Sequence, residues 1–152
     1  MVMKDTNSIF VDFLRVDQIF NRLYREAATR MGLSGSVLDV LYSVNYLGEG
    51  CLQKDICATS YLPKQTVHSA VDKLVSAGLL RKESSSGRAV ALYLTAAGER
   101  FVERRIVPIV QAEKRAFESM STEEQQHFYE LAMRLADAFR DQVKDLSLEK
   151  EG

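Results

Sequence analysis

The sequence contains no tryptophan, only two prolines and two cysteines, and almost no net charge: 20 Lys and Arg stand against 21 Asp and Glu, a formal −1. Each scarcity excludes something. Cys51 and Cys57 are too few for the disulfide framework of a small secreted domain, and they lack the second pair a CxxC-type metal site needs. They suit a reducing compartment. No apolar run approaches the roughly 20 residues of a membrane span. The opening stretch MVMKDTNSIFVDFLRV places Asp5 and Asp12 where a secretory signal needs an unbroken apolar core, which predicts a cytoplasmic chain. What is present, 46% hydrophobic and 27% charged residues in a chain of 152, is a globular composition. That length makes one domain, or two small lobes sharing a core.

The near-zero charge is an average over unlike regions. Between residues 54 and 88, Lys54, Lys64, Lys73, Arg81, Lys82 and Arg88 outnumber Asp55, Asp72 and Glu83, a balance of +3. Residues 121–152 hold eight acids against four bases, a balance of −4. A mildly basic middle permits a nucleic-acid partner, because the local field on the contacting face counts for more than the total.

Hydrophobic periodicity sets the expected elements. Phe13, Val16, Phe20, Leu23, Ala27 and Met31 recur at the three-to-four spacing of an amphipathic helix from Ser8 to Met31, with Gly32 ending it. A second helix, capped by Ser34 and closed by Gly48, turns Val37, Leu41, Val44 and Leu47 inward. LQKDICATS predicts a short third helix with Leu52 and Ile56 facing the core. A fourth starts at Pro63, buries Val67, Ala70, Val71 and Leu74, and closes at Gly78. Two helices separated only by ATSYL have the form of a helix-turn-helix. Val90, Leu92 and Leu94 then alternate with Ala89, Ala91 and Tyr93 after a Ser/Gly turn, the period of a half-buried strand in a two-stranded hairpin. Thr95 caps a helix expected to run to about Ser119 with a bend near Pro108. Ser121 and Glu124 form a capping box before a last helix with Phe128, Leu131, Leu135, Ala138 and Val143 on its apolar face.

The predicted fold is therefore mainly α, an α+β winged helix: four helices, a β-hairpin wing and two further helices. Residues 34–95 make a winged helix-turn-helix lobe, and residues 5–31 and 96–146 a helical dimerisation region. The flanking stripes are wide and rich in aromatics, so a second copy of the chain is the economical partner for them. Packing of the flanking helices on one another within one chain is the alternative.

The run LPKQTVHSAVDKLVSAGLLRK, followed by GRAVALYLTAAGERF, resembles the MarR family of winged-helix transcriptional regulators. KLVSAGLL and LYLTAAG carry the likeness, which extends from about Ser8 to Val143. The family's wing usually shows Asp-x-Arg, whereas this chain has Ser86-Gly87-Arg88. The arginine aligns and the acid that helps hold the wing does not, which predicts a looser wing before DNA orders it. The resemblance implies a homodimer on double-stranded DNA, often released by a small anionic or aromatic effector. Phe20, Tyr24, Tyr42 and Tyr46 are the effector-binding candidates, although aromatics at helical spacing also serve as core.

The residue chemistry agrees with a DNA partner. Steps of about 100° from Val67 place Gln65, Ser69, Asp72 and Ser76 on the outer face of the fourth helix, with Lys64, Thr66 and His68 on its flanks. Amides, hydroxyls and an imidazole exchange hydrogen bonds with base edges in a major groove, Gln with adenine being a favoured pair. Arg88 suits the narrow minor groove, while Lys54, Arg81 and Lys82 suit phosphates. His68 and His127 lack the spacing of a metal site. Cys57 reads as a core-facing structural thiol in preference to a redox sensor. No nucleophile elbow or phosphate-cradling glycine loop is present, so neither catalysis nor a cofactor is expected. The alternative to a sequence-specific regulator is a winged-helix module that binds other proteins.

Overall fold

The computed structural model describes residues 9–84 and 89–146. It divides into two compact units, the first ending at Ile109 and the second beginning at Val110. In the first unit α1 (Ile9–Arg30), α2 (Gly35–Leu47), β1 (Cys51–Leu52), α3 (Gln53–Ser60) and α4 (Lys64–Ser76) are followed by β2 (Leu80–Ser84), β3 (Val90–Leu94) and α5 (Ala96–Arg105). Helix α6 (Val107–Phe117) crosses the boundary, and α7 (Thr122–Lys144) belongs to the second unit.

The core of the first unit lies where α2, α3 and α4 meet the sheet. Leu41, Ile56, Val67, Val71, Leu80 and Leu92 are all but inaccessible to solvent there. The inward stripe expected on α4 is buried at each of its four positions. Ser34 caps α2 as expected, its side chain accepting from the Val37 amide at 3.4 Å. Gly32, at φ 68°, lets the Leu33 amide turn back onto the Ala28 carbonyl at 2.8 Å and stop α1.

Several local expectations are revised. The sheet has three antiparallel strands in the order β1-β3-β2, not two, because Cys51 and Leu52 pair with Leu92 and Ala91. Strand β3 lacks the simple alternation: Ala91 and Leu92, on opposite faces, are both buried while Val90 is exposed. On α2 the buried set is Leu38, Val40, Leu41, Ser43 and Val44, while Val37 is partly buried and Leu47 exposed. A helix covered on more than one side buries more than one stripe. The helix expected from Ala96 to Ser119 is two helices, parted at Ile106. Proline at 108 has no N–H to return to the Arg104 carbonyl, so the helical hydrogen-bond ladder is interrupted there.

Thr95 and Gly98 explain why the segment after β3 reads as it does. The Thr95 hydroxyl donates to the Gly78 carbonyl at 2.6 Å and accepts from the Gly98 amide at 3.0 Å, so one side chain joins the end of α4 to the start of α5. A Cβ on Gly98 would stand 2.0 Å from the Leu79 carbonyl oxygen, a separation no side chain tolerates.

The long helices contrast with this core. On α1 only Ala28 is buried, and Phe13, Val16, Phe20 and Leu23, part of the expected apolar stripe, are about half exposed. On α7, in the second unit, no residue is buried, and Phe128, Leu131, Leu135, Phe139 and Val143 face solvent. Its N-terminus carries the expected capping box: the Ser121 amide donates to Glu124 at 2.7 Å and the Glu124 amide to the Ser121 hydroxyl at 3.3 Å.

Candidate nucleic-acid interface

The turn between α3 and α4 is held by its own polar groups. The Ser60 hydroxyl donates to the Ile56 carbonyl at 2.7 Å and accepts from the Leu62 amide at 3.3 Å. Tyr61 sits in the left-handed region at φ 55°, uncommon for an aromatic residue, and is 92% exposed. Pro63 precedes α4 without any side-chain cap. The first amides of α4 therefore keep their donors for an outside acceptor, and the helix dipole makes that end favourable to an anion.

From this end the outer face of α4 rises through Lys64, Gln65, His68 and Ser69, all exposed, with Thr66 partly buried at its flank. Lys54, on α3, is exposed as well. The structure thus gathers on one short helix the side chains that the sequence singles out for reading bases. Tyr61 was not singled out. Its signal, an aromatic residue just before a helix-starting proline, is weak until the backbone shows how far it projects.

The basic residues of β2 are engaged. Arg81 pairs with Glu83 and stacks on the Tyr93 ring, 4.4 Å from its centroid. The register sets Arg81 directly opposite Tyr93, so the cross-strand pair orients the guanidinium along the sheet. Lys82 points the other way and donates to Asp72 of α4 at 2.6 Å. That bond holds the Asp72 carboxyl below the usual carboxylate range, with His68 adding to the effect. Arg88 lies outside the described residues, as does the rest of the Ser86-Gly87-Arg88 tip.

Three of the four effector candidates come together. Tyr24, Tyr42 and Tyr46 line a cleft of about 310 Å³ with Asp39, Ser43 and Thr59 among its walls; Phe20 is not part of that lining. Burial pushes the Asp39 carboxyl up. Of the two thiols, Cys51 rather than Cys57 is the buried one, and burial raises its pKa, with Asp55 adding to the rise. Cys57 is partly exposed, against the expectation that it faces the core. Among the described residues no group of three or more His, Cys, Asp or Glu is placed to hold a metal ion. Among them, too, no helix is long and apolar enough to cross a membrane.

Residues 31–89 match the model of the MarR family. No curated protein matches the chain in sequence. Among solved structures, NMB1585 from Neisseria meningitidis, described as a MarR family regulator, superposes with a TM-score of 0.77 at 21% identity over 91% of this chain and 99% of its own. The PcaV transcriptional regulator from Streptomyces coelicolor, in complex with its natural ligand, gives 0.61 at 24% identity over 81% and 90%. BpsR from Bordetella bronchiseptica, whose DNA binding is regulated by 6-hydroxynicotinic acid, gives 0.66 at 18% over 88% and 96%. The fold of these proteins is the fold of this chain.

Proposed function

We propose that this chain, whose residues 31–89 match the model of the MarR family, is a sequence-specific DNA-binding transcriptional regulator, a repressor acting as a cytoplasmic homodimer. The observation that carries the reading is the exposed outer face of α4, where Lys64, Gln65, His68 and Ser69 follow an uncapped helix end. Thr66 stands at the flank of that face. Gln65 and Ser69 read base edges, and Lys64 with Lys54 holds phosphates. Arg81 and Lys82 border the face from β2, and Arg88 enters the minor groove from the wing.

Residues 34–95 form the DNA-binding lobe in this reading, and residues 5–31 and 96–146 the dimerisation region. The exposed aromatic and aliphatic faces of α1 and α7 support pairing with a second copy. The cleft at Tyr24, Tyr42 and Tyr46 takes a small aromatic or anionic effector, by analogy with BpsR, described as regulated by 6-hydroxynicotinic acid, and with PcaV, described in complex with its natural ligand. The raised carboxyl of Asp39 favours an effector that offers it a hydrogen-bond donor.

Selection of bound duplexes from a random library, at near-physiological salt, tests the reading. Enrichment of a pseudo-palindrome with half-sites about one helical turn apart is expected of a dimer reading two successive major grooves. An unenriched pool points instead to a winged helix that engages a protein partner.

A further inference from the structure

An acid on a DNA-reading helix needs a reason, since it repels every phosphate that approaches. Asp72 is such an acid, two turns along α4 from Lys64 on its outward side. Its carboxylate is shared. One oxygen accepts from Lys82 of β2 at 2.6 Å, and the other lies 3.2 Å from Nε2 of His68. The second ring nitrogen of His68, Nδ1, stands 3.5 Å from the side-chain nitrogen of Gln53 on α3. A row running Gln53, His68, Asp72, Lys82 therefore spans three elements along the face proposed to meet DNA.

Folding does not account for the row. The Lys82 and Asp72 side chains are 33% and 49% exposed, and ion pairs so open to water add little stability. The backbone, by contrast, fixes where the lysine is. Lys82 pairs across the sheet with Leu92, which is completely buried, so β2 cannot slide to release it. Without Asp72 that lysine would stand as an open cation beside the recognition helix. Open cations bind any duplex, because phosphate attraction carries no sequence information.

We propose that Asp72 is a specificity-determining residue, which occupies Lys82 and so withholds it from phosphates on DNA of the wrong sequence. The proposal rests on the DNA-binding reading given above. Discrimination is a ratio, and it rises when binding to random DNA falls by more than binding to the operator. On random DNA phosphate attraction alone sets the docking, so a freed lysine finds a phosphate; on the operator Gln65 and Ser69 fix the register, and the same lysine adds less. The depressed titration of Asp72 keeps it charged through the neutral range, so the masking is constant there.

The test is a double-mutant cycle on the full chain, read as affinity for a random-sequence duplex and for the duplex enriched by the unaltered protein, each at several salt concentrations. Asp72→Asn should bind the random duplex about five-fold tighter, with a salt slope steeper by about one unit, the mark of one more phosphate contact. The enriched duplex should gain less, so the ratio of the two affinities falls. Asp72→Glu should restore the original ratio. Asp72→Asn combined with Lys82→Gln should return the random-duplex affinity to within about two-fold of the unaltered protein, since a neutral pair then replaces a neutral pair. Should Asp72→Asn fold poorly, Asp72→Ser takes its place in the cycle. Random-duplex affinity that is unchanged or weaker on losing the acid, or a gain that survives Lys82→Gln, overturns the proposal. If the unaltered protein enriches no sequence, operator reading fails, yet the cycle on random duplex still decides whether Asp72 masks Lys82.

Discussion

Gly98 shows how much one position can hold. Its missing Cβ leaves room for the Leu79 carbonyl, and Thr95 ties the same two segments by hydrogen bonds. Gly98→Ala should destabilise the protein by about 2 kcal/mol or more, because backbone and not a yielding side chain must move; a denaturant midpoint equal to that of the unaltered protein would refute this. On the reading face, Gln65→Ala should cost roughly 1–3 kcal/mol on the enriched operator and relax the preference at one base position only. Arg88→Ala should weaken binding broadly. Equal losses from both changes on specific and random duplex would remove base reading from α4. Of these residues, Gln65 is legible in the sequence because its position follows from the apolar stripe beneath it. The engagement of Lys82 is not, because Asp72 lies ten residues away on another element.

Among the elements, local rules hold where local interactions decide the outcome. The stripe of α4 and the caps at Ser34, Thr95 and Ser121 follow from spacing and residue type alone. Strand β1 does not, since two residues show no period and pair only because β3 offers an edge. The Ser121–Glu124 box gives α7 a dependence on pH. Hydrogen bonding to Ser121 holds the Glu124 carboxyl below its ordinary range. A lowered folded-state value stabilises the protein above the unfolded glutamate value, about 4.3, and the benefit is lost as pH falls through the lowered value. Glu124→Gln should therefore melt below the unaltered protein at neutral pH, and the gap should close on acidification below about pH 4. A gap independent of pH would show that shape rather than charge makes the cap.

At the scale of the whole molecule, the question is what covers the long helices. Amphipathic spacing reveals that α1 and α7 have apolar faces, but it does not say against what they pack; in a single chain those faces remain open. Pairing of two chains predicts a melting temperature that rises with protein concentration, the signature of folding coupled to association. A melting temperature constant over a hundred-fold dilution range, together with a monomeric mass, would exclude it. Pairing through these faces would also set how a cell feels the amount of this protein. Where chains are scarce and mostly single, the number of paired readers grows as the square of the number of chains. Halving synthesis would then cut the paired readers to about one quarter of their former number, so that expression level itself would act as a steep control on the regulated genes.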